Sequence, residues 1–185
     1  MLLVRPQDRH LASFVLALER GWAPNSMRPA DSAREELVRV RADPVAYLES
    51  QDDVDARNRP FDLPDGSTVG PLPCIRRWMW DGEFCGAIAL RWQPGTMELP
   101  SEVLGHIGYN VVPWKRGRGY ARAALAQMLV LARERGFPHV DLTTDPDNTA
   151  SRRVIEANGG VLVATFDRPA AYGRTPALQY RVHLD

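Results

Sequence analysis

The run Val111-Val112-Pro113-Trp114-Lys115-Arg116-Gly117-Arg118-Gly119-Tyr120-Ala121 constrains this chain more than any other segment, because a strand-like stretch turns through two glycines directly into a helical pattern. Gly117 and Gly119 permit positive φ and close backbone approach. The first amides of the following helix have no intrahelical partner and point outward. Free N–H groups and the helix dipole together favour an anion there, above all a diphosphate. Lys115, Arg116, Arg118 and Arg122 add positive charge around the turn. Gly117-Arg118-Gly119 lacks the third glycine of a dinucleotide fingerprint, and no Gly-Lys-Ser/Thr follows, so nicotinamide and nucleoside-triphosphate loops fit poorly. The bland alternative is a glycine turn with solvated arginines before an ordinary helix.

Charge balance makes this cluster a local device. The chain has 23 basic and 23 acidic residues among 185, so no net field steers it onto nucleic acid or an anionic membrane, and neither partner is expected. A hydrophobic content of 44% with 25% charged residues suits a single domain over residues 1–185. Met1 to Pro6 is too short for a secretory signal and no apolar run approaches a membrane span, which predicts a cytoplasmic enzyme. Cys74 and Cys85 lack paired Cys-x-x-Cys spacing; both read as free thiols and no metal site is expected.

Along the chain, Leu2 to Arg5 reads as an edge strand, and Leu11, Phe14, Val15 and Leu18 give a helix closed by Gly21. Asp31-Ser32 resembles an N-cap, and Pro44 divides the pattern that follows into two helices near Asp43. Residues 51–73 are rich in Asp, Pro and Gly and predict a long surface loop of the kind that covers substrates. Cys74–Trp80 and Glu83–Trp92 form a hairpin about Asp81-Gly82. Val103–Val112 predicts a central strand, 119–135 a helix, Val140–Thr144 a strand, Asn148 onward a helix, and Val161–Phe166 and Leu178–Leu184 two further strands. An exposed edge at Leu178–Leu184 would offer a homodimer contact.

Arg116, Gly119 and Ala121 fit the pyrophosphate loop of the GCN5-related N-acetyltransferases, the GNAT family, which reads Arg or Gln, two residues, Gly, one residue, Gly or Ala. Asn148-Thr149-Ala150-Ser151 through Gly160 resembles that family's Asn-x-x-Ala/Ser helix ending in glycine. The resemblance is clear over roughly residues 75–165. It implies an α/β (α+β) fold with a mixed, mostly antiparallel central sheet, a splayed central strand and flanking helices. It also implies acetyl-CoA as cosubstrate and a small-molecule or peptide amine as acceptor. The cofactor would be held by Arg116, Gly117, Arg118, Gly119, Tyr120 and Ala121, by a backbone donor among Asn110, Val111 and Val112, and by Asn148 with Ser151 along the pantetheine arm. Asn148 can equally serve as a helix N-cap.

Amide formation from a thioester needs a neutral amine, a route for its proton and donors for the oxygen that becomes negative. Many relatives carry a glutamate where this chain has His106, in Gly105-His106-Ile107-Gly108-Tyr109. An imidazole with an unperturbed pKa of about 6.5 can take a proton at neutral pH; the other reading is a core histidine bonded to backbone. Glu102 is a reserve base. Ile155 stands where relatives place an acidic tyrosine, leaving Tyr109, Tyr172 and Tyr180 as possible acids, each equally readable as a packing residue. Trp78, Trp80, Trp92 and Tyr109 either line an acceptor pocket or pack the core. Cys85, read as lying across the sheet from His106, opens an acyl-cysteine route against the commoner buried thiol. A chain that kept the phosphate loop and lost the chemistry would instead be an acyl-CoA sensor.

Overall fold

A computed structural model describes residues 1–184. The chain runs β1 (Leu2–Val4), α1 (Asp8–Glu19), α2 (Pro29–Ala42), α3 (Pro44–Glu49), β2 (Asp52–Asp53), β3 (Phe61–Asp62), β4 (Thr68–Val69), β5 (Cys74–Trp80), β6 (Phe84–Arg91), β7 (Ile107–Val111), α4 (Tyr120–Glu134), β8 (His139–Thr144), α5 (Thr149–Glu156), β9 (Val161–Asp167) and β10 (Pro176–His183). Pro29 starts α2 where its missing N–H costs nothing, and Asp43 caps α3 by accepting from the Ala46 amide at 2.9 Å. Within residues 51–73 the structure has three two-residue strands where sequence predicts unbroken loop.

Two antiparallel sheets carry the fold. One has the order β1-β5-β6-β7 with β2 on β5, the other β8-β10-β9. The Asp81-Gly82 hairpin forms as predicted, with Trp78 opposite Ala87, and Gly82 takes φ +111°. The central strand is shorter than predicted: β7 begins at Ile107, because Gly105 at φ +95° breaks the extended run. The C-terminal strand is not an edge. β10 lies between β8 and β9, so the edge of that sheet is β9, where Val161, Leu162 and Val163 are exposed.

Each sheet face buries a different cluster. Leu125, Met128 and Ala132 of α4 pack with Met79, Ile88, Leu90, Val140 and Leu142. On the opposite face Phe14, Trp22, Tyr47, Trp78 and Phe84 form an aromatic core under α1 to α3, with the Phe14 and Trp78 rings stacked at 4.3 Å. Of the tryptophans offered for an acceptor pocket, Trp78 is sealed in this core, Trp80 lies against His10 at 4.6 Å, and Trp92 meets Phe137 and Arg135. None lines the cleft described below. Burial of large apolar area outcompetes an exposed aromatic lining at these strand positions.

Gly86 sets how closely β6 and β7 approach: at φ +146° an added Cβ would lie 2.3 Å from the Asn110 carbonyl oxygen. Gly86→Ala should therefore lower unfolding free energy by roughly 3 kcal/mol or more. Gly136→Ala, at φ +80° with nothing within 4 Å, should cost only about 1–2 kcal/mol. Urea denaturation of the two variants checks this; equal losses would remove the close approach as the cause.

Candidate active site

The residues just before β7 meet β8 at one isolated backbone bridge, Gly105 to Leu142. His106 doubles it: its N–H donates to the Asp141 carbonyl at 2.7 Å, and the Asp141 N–H donates to His106 Nδ1 at 3.0 Å. No side chain fits at Gly105, whose added Cβ would stand 2.8 Å from the Asp141 carbonyl oxygen. Beyond this apex the strands part. Ile107 to Asn110 and Leu142 to Thr144 then line a cleft of about 540 Å³, walled also by α2, by the segment between β2 and β5 and by the start of α5.

Strand alternation decides which β7 amides face the gap. Arg91 N–H donates to the His106 carbonyl at 2.8 Å and Val112 N–H to the Cys85 carbonyl at 2.9 Å. Even-numbered residues of β7 therefore aim their backbone at β6, and Tyr109 and Val111 aim theirs outward. Among Asn110, Val111 and Val112, only the Val111 amide is left free for a ligand. Asn110 contributes differently, its Nδ2 donating to the Ala23 carbonyl at 2.7 Å and tying β7 to the segment after α1.

Val111 leads into the glycine turn. Gly117 and Gly119 take φ +76° and +77°, with nothing within 4 Å of the Cβ position at either. Gly119 is the N-cap of α4 without any capping side chain. The amides of residues 117–122 have no backbone acceptor among the described residues, and Arg116, Gly117, Arg118 and Arg122 are exposed around them. A diphosphate fits this cradle of unsatisfied donors. Tyr120 and Ala121, half-buried, open the helix.

Lys115 is not part of that cradle. Its buried Nζ donates to Asp81 at 2.6 Å and lies 3.3 Å from Glu83, while Tyr120 Oη donates to the other Asp81 oxygen at 2.6 Å. Burial opposes the Asp81 charge, yet the Lys115 and Tyr120 hydrogen bonds outweigh it and hold the carboxyl well below the usual range. The cluster pins the β5–β6 turn to the glycine loop.

Asn148 caps α5, its Oδ1 accepting the Ser151 amide at 3.0 Å. The cap engages one lone pair of that oxygen, and the Nδ2 donor has no partner among the described residues. Ser151 Oγ lies 2.9 Å from Tyr109 Oη, so these two sequence-selected residues meet inside the cleft wall. Burial raises the Tyr109 pKa, which keeps the phenol protonated.

The base candidates do not come to the cleft. His106 is buried, with its ring against Phe137 and His139 at 6.2 and 6.4 Å, and lies outside the cleft lining. Burial lowers its pKa and favours the neutral ring whose Nδ1 accepts. In this position His106 has the contacts of the second of its two readings, a core histidine bonded to backbone that fastens two strands. Glu102 lies outside the lining as well, and its backbone carbonyl accepts from Tyr172 Oη at 2.7 Å. Tyr180 is buried and donates to Glu156 at 2.9 Å. Ile155 packs against Gly160. Cys85 is not beside His106 but 3.6 Å from Lys115 Nζ, where burial pushes its thiol up to about 11, so it is a poor nucleophile.

Comparison with known proteins agrees with this geometry. The profile described as the Acetyltransferase (GNAT) family matches residues 35–159. The chain belongs to the GNAT acetyltransferase family, and it is an acetyl-CoA-dependent acyltransferase. Comparison with curated protein sequences returns no match. Among solved structures it is similar to RimL, a ribosomal L7/L12 α-N-protein acetyltransferase in complex with coenzyme A, at 13% identity over 99% of this chain and 94% of that one, with a TM-score of 0.65. It is similar to the microcin C7 self-immunity acetyltransferase MccE in complex with acetyl-CoA and AMP, at 10% identity over 98% and 91% and a TM-score of 0.62. A Salmonella typhimurium acetyltransferase that modifies the N-terminal serine of ribosomal protein L7/L12 shares 14% identity over 99% and 94%, with a TM-score of 0.62. At these identities the likeness is one of fold.

His106→Ala should cost roughly 1–3 kcal/mol of stability by orphaning the buried Asp141 amide, while the folded fraction keeps its acetyl-CoA affinity. Stability of the parent chain should fall as pH drops below about 6.5, because the unfolded imidazole takes a proton that the folded one resists. Thermal melts across that range, with titration of acetyl-CoA, check both; loss of turnover with unchanged stability would restore His106 as a base.

Proposed function

We propose that the chain transfers the acetyl group of acetyl-CoA directly to a primary amine of a small molecule or peptide, with no acyl-enzyme intermediate. The free Val111 amide at the parted edge of β7, in line with the unsatisfied amides of residues 117–122, carries this reading. Acetyl-CoA, when bound, supplies the activated carbonyl. Residues 117–122 take its diphosphate, Asn148 Nδ2 donates to the pantetheine arm, and the Val111 N–H meets the oxygen that becomes negative.

Tyr109 is the residue best suited to give a proton to the departing thiolate, since its phenol stays protonated and Ser151 fixes its direction. No carboxylate of the cleft is free to act as base: Glu35 pairs with Arg28 and Arg59, Glu36 with Arg39 and Tyr47, Asp62 with Arg28, and Asp145 with Arg168. The amine then enters uncharged and releases its proton to cleft water after attack. RimL and the Salmonella enzyme act on a protein N-terminus, which makes a peptide amine a reasonable acceptor to test.

Calorimetric titration with acetyl-CoA should give saturable one-to-one binding, weakened roughly tenfold or more by Gly119→Asp, which sets a carboxylate against the diphosphate at a φ that Asp tolerates. Tyr109→Phe should bind acetyl-CoA as the parent does and lose roughly a hundredfold in kcat. Full turnover by that variant would exclude Tyr109 as the acid, whereas binding without turnover by the parent on every amine tried would favour a sensor.

A further inference from the structure

Six arginines line the cleft, and four of them are matched by carboxylates: Arg28 and Arg59 by Glu35 and Asp62, Arg39 by Glu36, and Arg168 by Asp145. Arg76 and Arg91 form no such ion pair, although the Glu36 carboxylate lies near enough to favour the Arg76 charge. Arg76 Nη1 donates to the neutral Gln51 Oε1 at 3.2 Å, and the Arg91 guanidinium has no hydrogen bond or carboxylate partner among the described residues. The register places them on one sheet face, with Cys74 opposite Arg91 and Arg76 opposite Ala89, so the two are diagonal cross-strand neighbours. Ala89 and the adjoining Gly108 of β7 offer almost no side chain between them. An added Cβ at Gly108 would lie 2.8 Å from Arg91 Nη2, so the guanidinium folds over this glycine into the space beside Arg76.

Two like charges set side by side at a half-buried site, over a floor of small residues, describe a seat for an anion. We propose that the acceptor carries an anionic group, a carboxylate or a phosphate, besides its amine, and that Arg76 and Arg91 hold it there. The inference rests on the acetyl-transfer reading for the position of the amine. Guanidinium forks grip either oxyanion in bidentate fashion. Gly108 precedes Val111 by three residues, or roughly 10 Å of strand. The anion therefore lies several bonds from the amine, rather than on the same carbon.

The test uses full-length protein saturated with coenzyme A, which keeps added anions off the glycine loop. Inorganic phosphate and acetate are titrated separately while the backbone amide shifts of Ala89 and Tyr109 are followed by NMR. Saturable shifts are expected, with affinity falling roughly tenfold or more in Arg91→Gln and in Gly108→Ala, which displaces the same guanidinium. Phosphate binding tighter than acetate points to a phosphate ester, and the reverse order to a carboxylate. Arg91→Gln should also raise Tm, because it removes a charge that the fold desolvates without a partner. No shift in the parent, or shifts unchanged in both variants, would overturn the proposal, as would a lowered Tm with anion affinity retained. Failure of the parent to bind coenzyme A would count against the acetyl-transfer reading alone, since anion shifts sensitive to Arg91 would still establish the seat.

Discussion

The fastening of β7 to β8 at Gly105 and His106 is the constraint from which the cleft follows. Two sheets of opposite sides of the molecule share one backbone bridge, and a strand pair with further bridges would close over the cosubstrate. The glycine allows the backbones to approach at φ +95°, and the imidazole next to it adds a second hydrogen bond to the same Asp141 peptide group. Asp141 is itself held by Arg181 at 2.8 Å and Gln179 at 2.9 Å, both on β10. A joint so narrow needs this redundancy, because a lost hydrogen bond there is not backed by a ladder on either side.

The parting of the strands explains why Val111 can serve a ligand at all. An interior strand spends its N–H groups on two neighbours; β7 spends half of them on β6 and keeps the others for the gap. The glycine turn begins immediately beyond, so the free strand amide and the free helix amides lie on one continuous stretch of backbone. Asp81 steadies this stretch from the side by gripping both Lys115 and Tyr120. The tether joins the turn of the β5–β6 hairpin to the loop, which transmits the position of the sheet to the anion cradle.

The parts legible in the sequence are those set by local chemistry. Gly117 and Gly119 announce a turn because positive φ excludes most other residues, and Asn148 announces a helix start because its side chain bonds an amide three residues on. Lys115 misleads because its partner, Asp81, is 34 residues away, and a sequence window shows only a lysine among arginines. His106 is hard to read for the same reason: an imidazole before Ile-Gly-Tyr has the chemistry of a base, and the backbone amide its Nδ1 accepts from lies 35 residues downstream. The last strand's place in the sheet depends on long-range pairing, since β10 inserts between β8 and β9 and is central rather than an edge. Arg76 and Arg91 carried no signal at all, since arginines 15 residues apart on two strands become neighbours only when the register sets them beside Ala89 and Gly108.

What marks the active cleft is a run of hydrogen-bond donors, backbone and side-chain, that the fold leaves unspent along one path. Many buried polar side chains elsewhere find partners within the chain, Glu36 with Arg39 and Tyr47, Asp53 with the amides of Arg57 and Asn58, and Tyr180 with Glu156, while the indole N–H groups of Trp22 and Trp78 in the aromatic core do not. Along the path from the glycine turn to the cleft, the Val111 amide, the amides of residues 117–122, Asn148 Nδ2 and the Arg91 guanidinium have no partner among the described residues. Those at exposed residues of the glycine turn and at Asn148 are open to water, whereas the half-buried Arg91 guanidinium is desolvated without a partner and carries a cost. Their distribution follows a single path from the helix N-terminus, past the free strand amide, to the arginine pair. Donors line this path from end to end, which suits a molecule with a diphosphate at one end, a carbonyl oxygen in the middle and an anion on the acceptor at the other.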